Sequence, residues 1–158
     1  MLSIMNALVA KLKTPEDCAK FAKNATERGH PEFALAARKR AVQLRAESYG
    51  ITSDVQRECI EAIYAYEEVL SEKAGYRRTA SRTWPMIKKY GVIEAVERVV
   101  KRKADPSGYT ALVEMGLEDL AFEAVVLRHP SIFSAEAVAQ SKERLGELHN
   151  ATGITPIK

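Results

Sequence analysis

The sequence predicts an all-α fold: a compact bundle of seven or eight helices, three longer ones first and several short ones after. Helix start and stop signals recur along the chain, alanines are frequent, and no stretch alternates apolar and polar residues over a strand's length.

The first predicted helix opens at Thr14-Pro15-Glu16-Asp17. A hydroxyl cap, a proline in the first turn and two acids at the positive end of the helix dipole all favour a start there. Phe21, Ala22 and Ala25 follow at helical spacing, and Gly29 stops the run. A second helix begins at once near Pro31 and ends at Gly50. Its apolar stripe is Phe33, Ala37, Ala41, Leu44 and Tyr49, with Arg38, Lys39, Arg40 and Arg45 around the other side. Joined by so short a turn, the two should fold back as a hairpin.

The third helix is the clearest. Thr52 or Ser53 caps it, and Val55, Cys59, Ile63, Tyr66 and Leu70 repeat at three- and four-residue intervals until Gly75. Shorter pieces follow. Ser81 or Thr83 starts a helix carrying Trp84, Met86, Ile87 and Tyr90, with Pro85 tolerable only in its first turn. Gly91 interrupts, and Val92 to Arg102 restarts. "ADPSG" reads as a turn, "YTALVEMG" as a short helix and "LEDLAFEAVVLRHP" as another that Pro130 ends. Ser134 caps a last helix, and the tail "ATGITPIK" should fray.

The length suits a single domain over residues 1–158. A weak subdivision at 75–80 would separate a three-helix scaffold, 14–75, from a short-helix half, 81–150. No apolar run approaches the roughly 18 residues that cross a bilayer. The N-terminal stretch lacks the basic leading segment of a signal peptide, so a cytoplasmic address is expected. Cys18 and Cys59 each fall inside a helical pattern and read as buried reduced thiols.

Enzyme signatures are missing. There is no Gly-rich phosphate loop, no GxSxG, no HExxH and no paired-cysteine metal pattern, so no catalytic residue, metal or cofactor is predicted. His30 and His129 each precede a proline, at turns beside helix ends, and His149 lies near the C-terminus. An enzyme would have to assemble its site in space from groups such as Glu58, Glu61, His30 or His129. Glu58, Glu61, Glu68 and Glu72 read otherwise as a solvated helix face.

Charge is the informative feature. The formal net charge is only +3, yet Lys73 to Lys103 holds ten Lys or Arg against Glu94 and Glu97. That segment carries +8, and acidic stretches flank it on both sides. Within it, "GYRRTASRTWPMIKKYG" places basic residues and hydroxyls around a single tryptophan. Phosphate could be held there by guanidinium, ammonium and free N–H groups of a helix start. The predicted contacts are Arg77, Arg78, Arg82, Lys88, Lys89, Lys101, Arg102 and Lys103.

The helix–Gly91–helix layout is loosely that of a helix-turn-helix. Its second helix is a poor base reader, because Glu94 and Glu97 occupy its early polar positions. Backbone contacts without base readout are therefore expected, with log K falling by about 0.9 per phosphate contact as log salt rises. Trp84 reads as a core anchor, whereas Tyr76 and Tyr109, beside glycines, could stack on a base.

The C-terminal half carries Gly91-Val92-Ile93-Glu94-Ala95, Gly108-Tyr109-Thr110-Ala111-Leu112, the Leu117–Val126 run and the Phe133-Ser134 helix start. It resembles helical segments of uncharacterised bacterial proteins, some fused to HNH-type or other restriction-like nucleases. The histidine and asparagine pattern of an HNH nuclease is missing here. The resemblance therefore implies an accessory module beside DNA-processing enzymes, without nuclease activity of its own.

The functional expectation is a non-enzymatic nucleic-acid-binding accessory domain, DNA being the favoured polyanion, with a link to a nuclease or defence system. The alternative is a protein-interaction module whose basic block meets an acidic partner or the acidic flanks of a second copy. No membrane partner is expected.

Overall fold

A computed structural model of the chain describes residues 2–51, 53–102 and 107–152. Among them are nine α-helices, one 3-10 turn and no strand. The all-α expectation holds, with one more helix than the seven or eight counted from sequence. The extra one is α1 (Leu2–Ala10), which has no acid in its first turn and no base in its last. It therefore carries no charge signal at either end for a sequence reading to use. Capping by Thr52 and most of the "ADPSG" turn lie outside the described residues, as does the expected fraying tail except for Ala151 and Thr152, which end the last helix.

The chain divides into two compact units, Met1–Ile51 and Thr52–Lys158. In the first, α1 is followed by α2 (Pro15–Glu27) and α3 (Pro31–Tyr49). Thr14 caps α2 as expected, its Oγ1 accepting the Asp17 N–H at 3.1 Å. Alanines Ala22 and Ala25 of α2 bury against Ala34 and Ala37 of α3, flanked by Leu12, Phe21 and Phe33. Side chains this small let two helix backbones approach closely, which is why a hairpin poor in large residues still has a core. Arg40 turns from the predicted solvent side of α3 to donate to the Leu12 carbonyl, at 3.2 Å, tying the α1–α2 turn down.

The second unit is built on α4 (Asp54–Ala74), 21 residues and roughly 30 Å long. Cys59, Ile60, Ile63 and Val69 are fully buried along it. Against α4 pack α6 (Val92–Lys101), α7 (Ser107–Glu114) and α8 (Phe122–Arg128), so its partners are the short helices that follow it in sequence. α5 (Thr83–Tyr90) precedes α6 across Gly91, whose φ of 85° and ψ of 167° suit only glycine. Pro85 falls in the first turn of α5, where its missing N–H costs nothing. Ser134 caps α9 (Ala135–Thr152), its Oγ accepting the Ala137 N–H at 3.1 Å.

The run Leu117 to Leu127 was expected as one helix and is broken. A 3-10 turn, Glu118–Leu120, precedes α8, and Ala121 between them is extended, at φ −61° and ψ 150°. The Arg128 Nη1 donates to the Asp119 carbonyl at 2.7 Å, satisfying an acceptor that a continuous helix would have paired internally.

Candidate nucleic-acid interface

The connector after α4 is not a loose linker. Glu67 lies inside the fold, its side chain 2% exposed, and collects three donors. Arg77 Nη2 reaches it at 2.7 Å, the Ala80 backbone N–H at 2.8 Å and Trp84 Nε1 at 2.6 Å. One turn on, Ser71 Oγ accepts the Arg78 N–H at 2.9 Å and lies 3.3 Å from the Arg78 carbonyl. These bonds fold residues 77–84 back along the last turns of α4. Trp84 packs its ring on Tyr64, with centroids 5.2 Å apart, and so anchors α5 as the sequence suggested.

Among the described residues, two of the eight predicted cations are engaged by carboxylates. Arg77 is held by Glu67 and also meets Glu68 at 3.5 Å. Lys101 lies 3.4 Å from Glu97 and 3.6 Å from Glu136. Lys88 and Lys89 are exposed on the last turn of α5, where a helix favours positive charge, and Lys89 lies 5.1 Å from the Tyr90 ring centroid. Lys103 lies outside the described residues.

Lys73, Arg78, Arg82 and Arg102 all line an open cavity of about 770 Å³. No ion pair engages any of these four among the described residues. Arg102 rests its guanidinium on the Met86 sulfur, and its backbone carbonyl accepts from Arg144. Arg144 is itself buried and paired with Glu123 at 2.8 Å, so the end of α6 is pinned to α8 and α9. The cavity lining is mixed: Tyr66, Val69 and Leu70 of α4, Leu112 of α7 and Phe122 of α8 give it apolar and aromatic surface, and the paired Glu123 and Arg144 line it too. Tyr109 lines it too, and burial, with Glu118 and Glu123 nearby, pushes its phenol up and keeps it neutral. Thr79, Ser81 and Thr83 add hydroxyls near the rim. The chemistry offered is capture of an anion attached to a flat or apolar body.

Lys73 was missing from the predicted contacts, and the lining was not foreseen. A signal existed: Tyr66, Leu70 and Lys73 stand at i, i+4 and i+7, one stripe of α4. Glu97, expected as an exposed charge that repels phosphate, instead accepts the Ser134 N–H and helps dock the start of α9. Burial raises its affinity for a proton, but that N–H and Lys101 outweigh burial and hold its carboxyl below the ordinary range.

Elsewhere in this unit Glu58 meets His129 and Arg128, the latter at 2.7 Å. No second carboxylate takes part in these bonds. Burial pushes Glu58 up, yet hydrogen bonds from His129 and Arg128 leave it below its ordinary 4.5. A carboxylate depressed on folding stabilises above its unfolded pKa, and that contribution disappears as pH falls through the folded value. Thermal melts of Glu58→Gln should therefore lie about 3–6 °C below wild type at pH 7, with the gap closing towards pH 3. A gap unchanged with pH would show that the carboxylate charge contributes nothing. Cys59 beside it is fully buried, its thiol pushed up to about 12 by burial and then by Glu58, so it is inert as a nucleophile at neutral pH.

No group of three or more His, Cys, Asp or Glu side chains among the described residues could hold a metal ion. No helix among them is long and apolar enough to cross a membrane. The second unit thus presents a helical scaffold around a cation-rimmed, aromatic-lined cavity. Compared with family models, curated proteins and solved structures, the chain finds no match.

Proposed function

We propose that the chain binds nucleic acid, without catalysis, by capturing backbone phosphates on the rim of this cavity. The observation that carries the reading is that Lys73, Arg78, Arg82 and Arg102 line one cavity with no carboxylate partner among the described residues. Cations that line one cavity without counter-charges give it a positive potential, which a polyanion relieves. Arg77 and Lys101 belong to the framework in this reading, because carboxylates already occupy them. Lys88 and Lys89 extend the positive surface along α5. An accessory role beside DNA-processing enzymes is part of this proposal and rests on the sequence resemblance of the C-terminal half alone.

Fluorescence anisotropy of a labelled oligonucleotide across a salt series tests this. Three or four phosphate contacts predict a log K versus log salt slope of about −2 to −3 on single strands, from roughly 0.7 per contact. The double variant Arg78→Ala/Arg82→Ala should lower that slope by about 1.4. Association with polyglutamate and none with an oligonucleotide would overturn the reading in favour of an acidic protein partner. A salt-independent affinity would overturn it as well.

A further inference from the structure

We infer that the cavity beneath the rim receives an unstacked base, so that the preferred ligand is single-stranded rather than duplex. This rests on the phosphate-binding reading above and adds what that reading leaves open, the form of the nucleic acid. A duplex keeps its base faces stacked and offers only phosphates to a protein surface. Four cations alone would suit either form. What separates the two is the interior.

The cavity, at about 770 Å³, lies within the roughly 300–1,000 Å³ range of pockets that enclose small ligands. Its wall carries the Tyr66, Tyr109 and Phe122 rings together with Leu70 and Leu112. Arg144 lines it as well but is already paired with Glu123, and the rings gain nothing from a phosphate, which prefers the wet rim. A nucleobase, flat and weakly hydrated on its faces, is the part of a nucleotide that fits it, and every base has such a face. Cations at the mouth and rings within reproduce the two halves of a nucleotide in the right order: phosphate outside, base inside.

Tyr66 is the ring best placed for stacking. It is half-buried where Tyr109 is buried, and α7 packs on one edge of its ring, a Cβ built on Gly108 standing in ordinary contact, 3.7 Å from its Cε2. The hydroxyls of Thr79, Ser81 and Thr83 near the rim can bond sugar or base edges without selecting one sequence.

The test leaves the protein intact. Anisotropy titrations compare a thymine strand of about 20 nucleotides, an abasic strand of equal length and a duplex of equal phosphate count. The base-bearing strand should bind roughly tenfold more tightly than either of the others. Tyr66→Ala should lose that tenfold preference while leaving the salt slope unchanged, and Tyr66→Phe should keep it. Equal, salt-sensitive affinity for all three ligands overturns the inference and leaves phosphate capture standing. Failure to bind any of them overturns both.

Discussion

Replacing Glu67 with alanine should cost the second unit about 3–5 kcal/mol, the range for breaking a buried charged cluster from one side. Three donors converge on this carboxylate, and they do not suffer equally. Arg77 is about a third exposed and can rehydrate. The Ala80 N–H is buried and the Trp84 indole half-buried, so much of the loss falls there, at roughly 1–3 kcal/mol for each donor left unsatisfied. Glu67→Gln keeps the volume and one acceptor oxygen, so its cost should be smaller, about 1–2 kcal/mol. Urea denaturation followed by fluorescence measures this directly, because Trp84 is the sole tryptophan and sits in the clasp. The same variant should weaken oligonucleotide binding, since the clasp holds the connector that carries Arg78 and Arg82. A loss under about 0.5 kcal/mol would show that the cluster does not hold the connector.

The second large effect is expected at Arg144. Its guanidinium bonds Glu123 and the carbonyls of Val99 and Arg102, so one side chain from the middle of α9 joins the end of α6 to the start of α8. Arg144→Ala would leave a buried carboxylate without its counter-charge, at a cost of about 3 kcal/mol or more. The double replacement Arg144→Met/Glu123→Leu removes both charges and keeps much of the volume. It should recover most of the lost stability, because a buried ion pair adds little over a well-packed apolar pair. Denaturation midpoints of Arg144→Met, Glu123→Leu and the double complete the cycle. Should the double variant prove no more stable than Arg144→Ala, the cost would lie in lost packing or unpaired carbonyls rather than in the stranded charge.

Much of the helical layout was legible in the residues. Thr14 and Ser134 cap where their spacing to the next apolar run suggested, and Gly50 and Gly75 end α3 and α4 at left-handed φ values of 85° and 78°. Such signals act within one turn and need no partner from elsewhere in the chain. The break at Ala121 was not legible, because it is held by Arg128 reaching back to the Asp119 carbonyl while also gripping Glu58, seventy residues away. Nor could the acids of α4 be told apart. Glu67 and Glu68 are neighbours in a charged run, yet one is the fully buried acceptor of the clasp and the other lies at its edge.

The same division runs through the candidate interface. Composition and local spacing already specified the helices and the concentration of positive charge in Lys73 to Lys103, for both arise from side chains close together along the chain. Whether a given cation is neutralised depends on which acid folding brings within about 4 Å, and charges interact through space, not along sequence. Packing alone thus set Arg77 and Lys101 against carboxylates and gathered Lys73, Arg78, Arg82 and Arg102 around a hollow walled by three other helices.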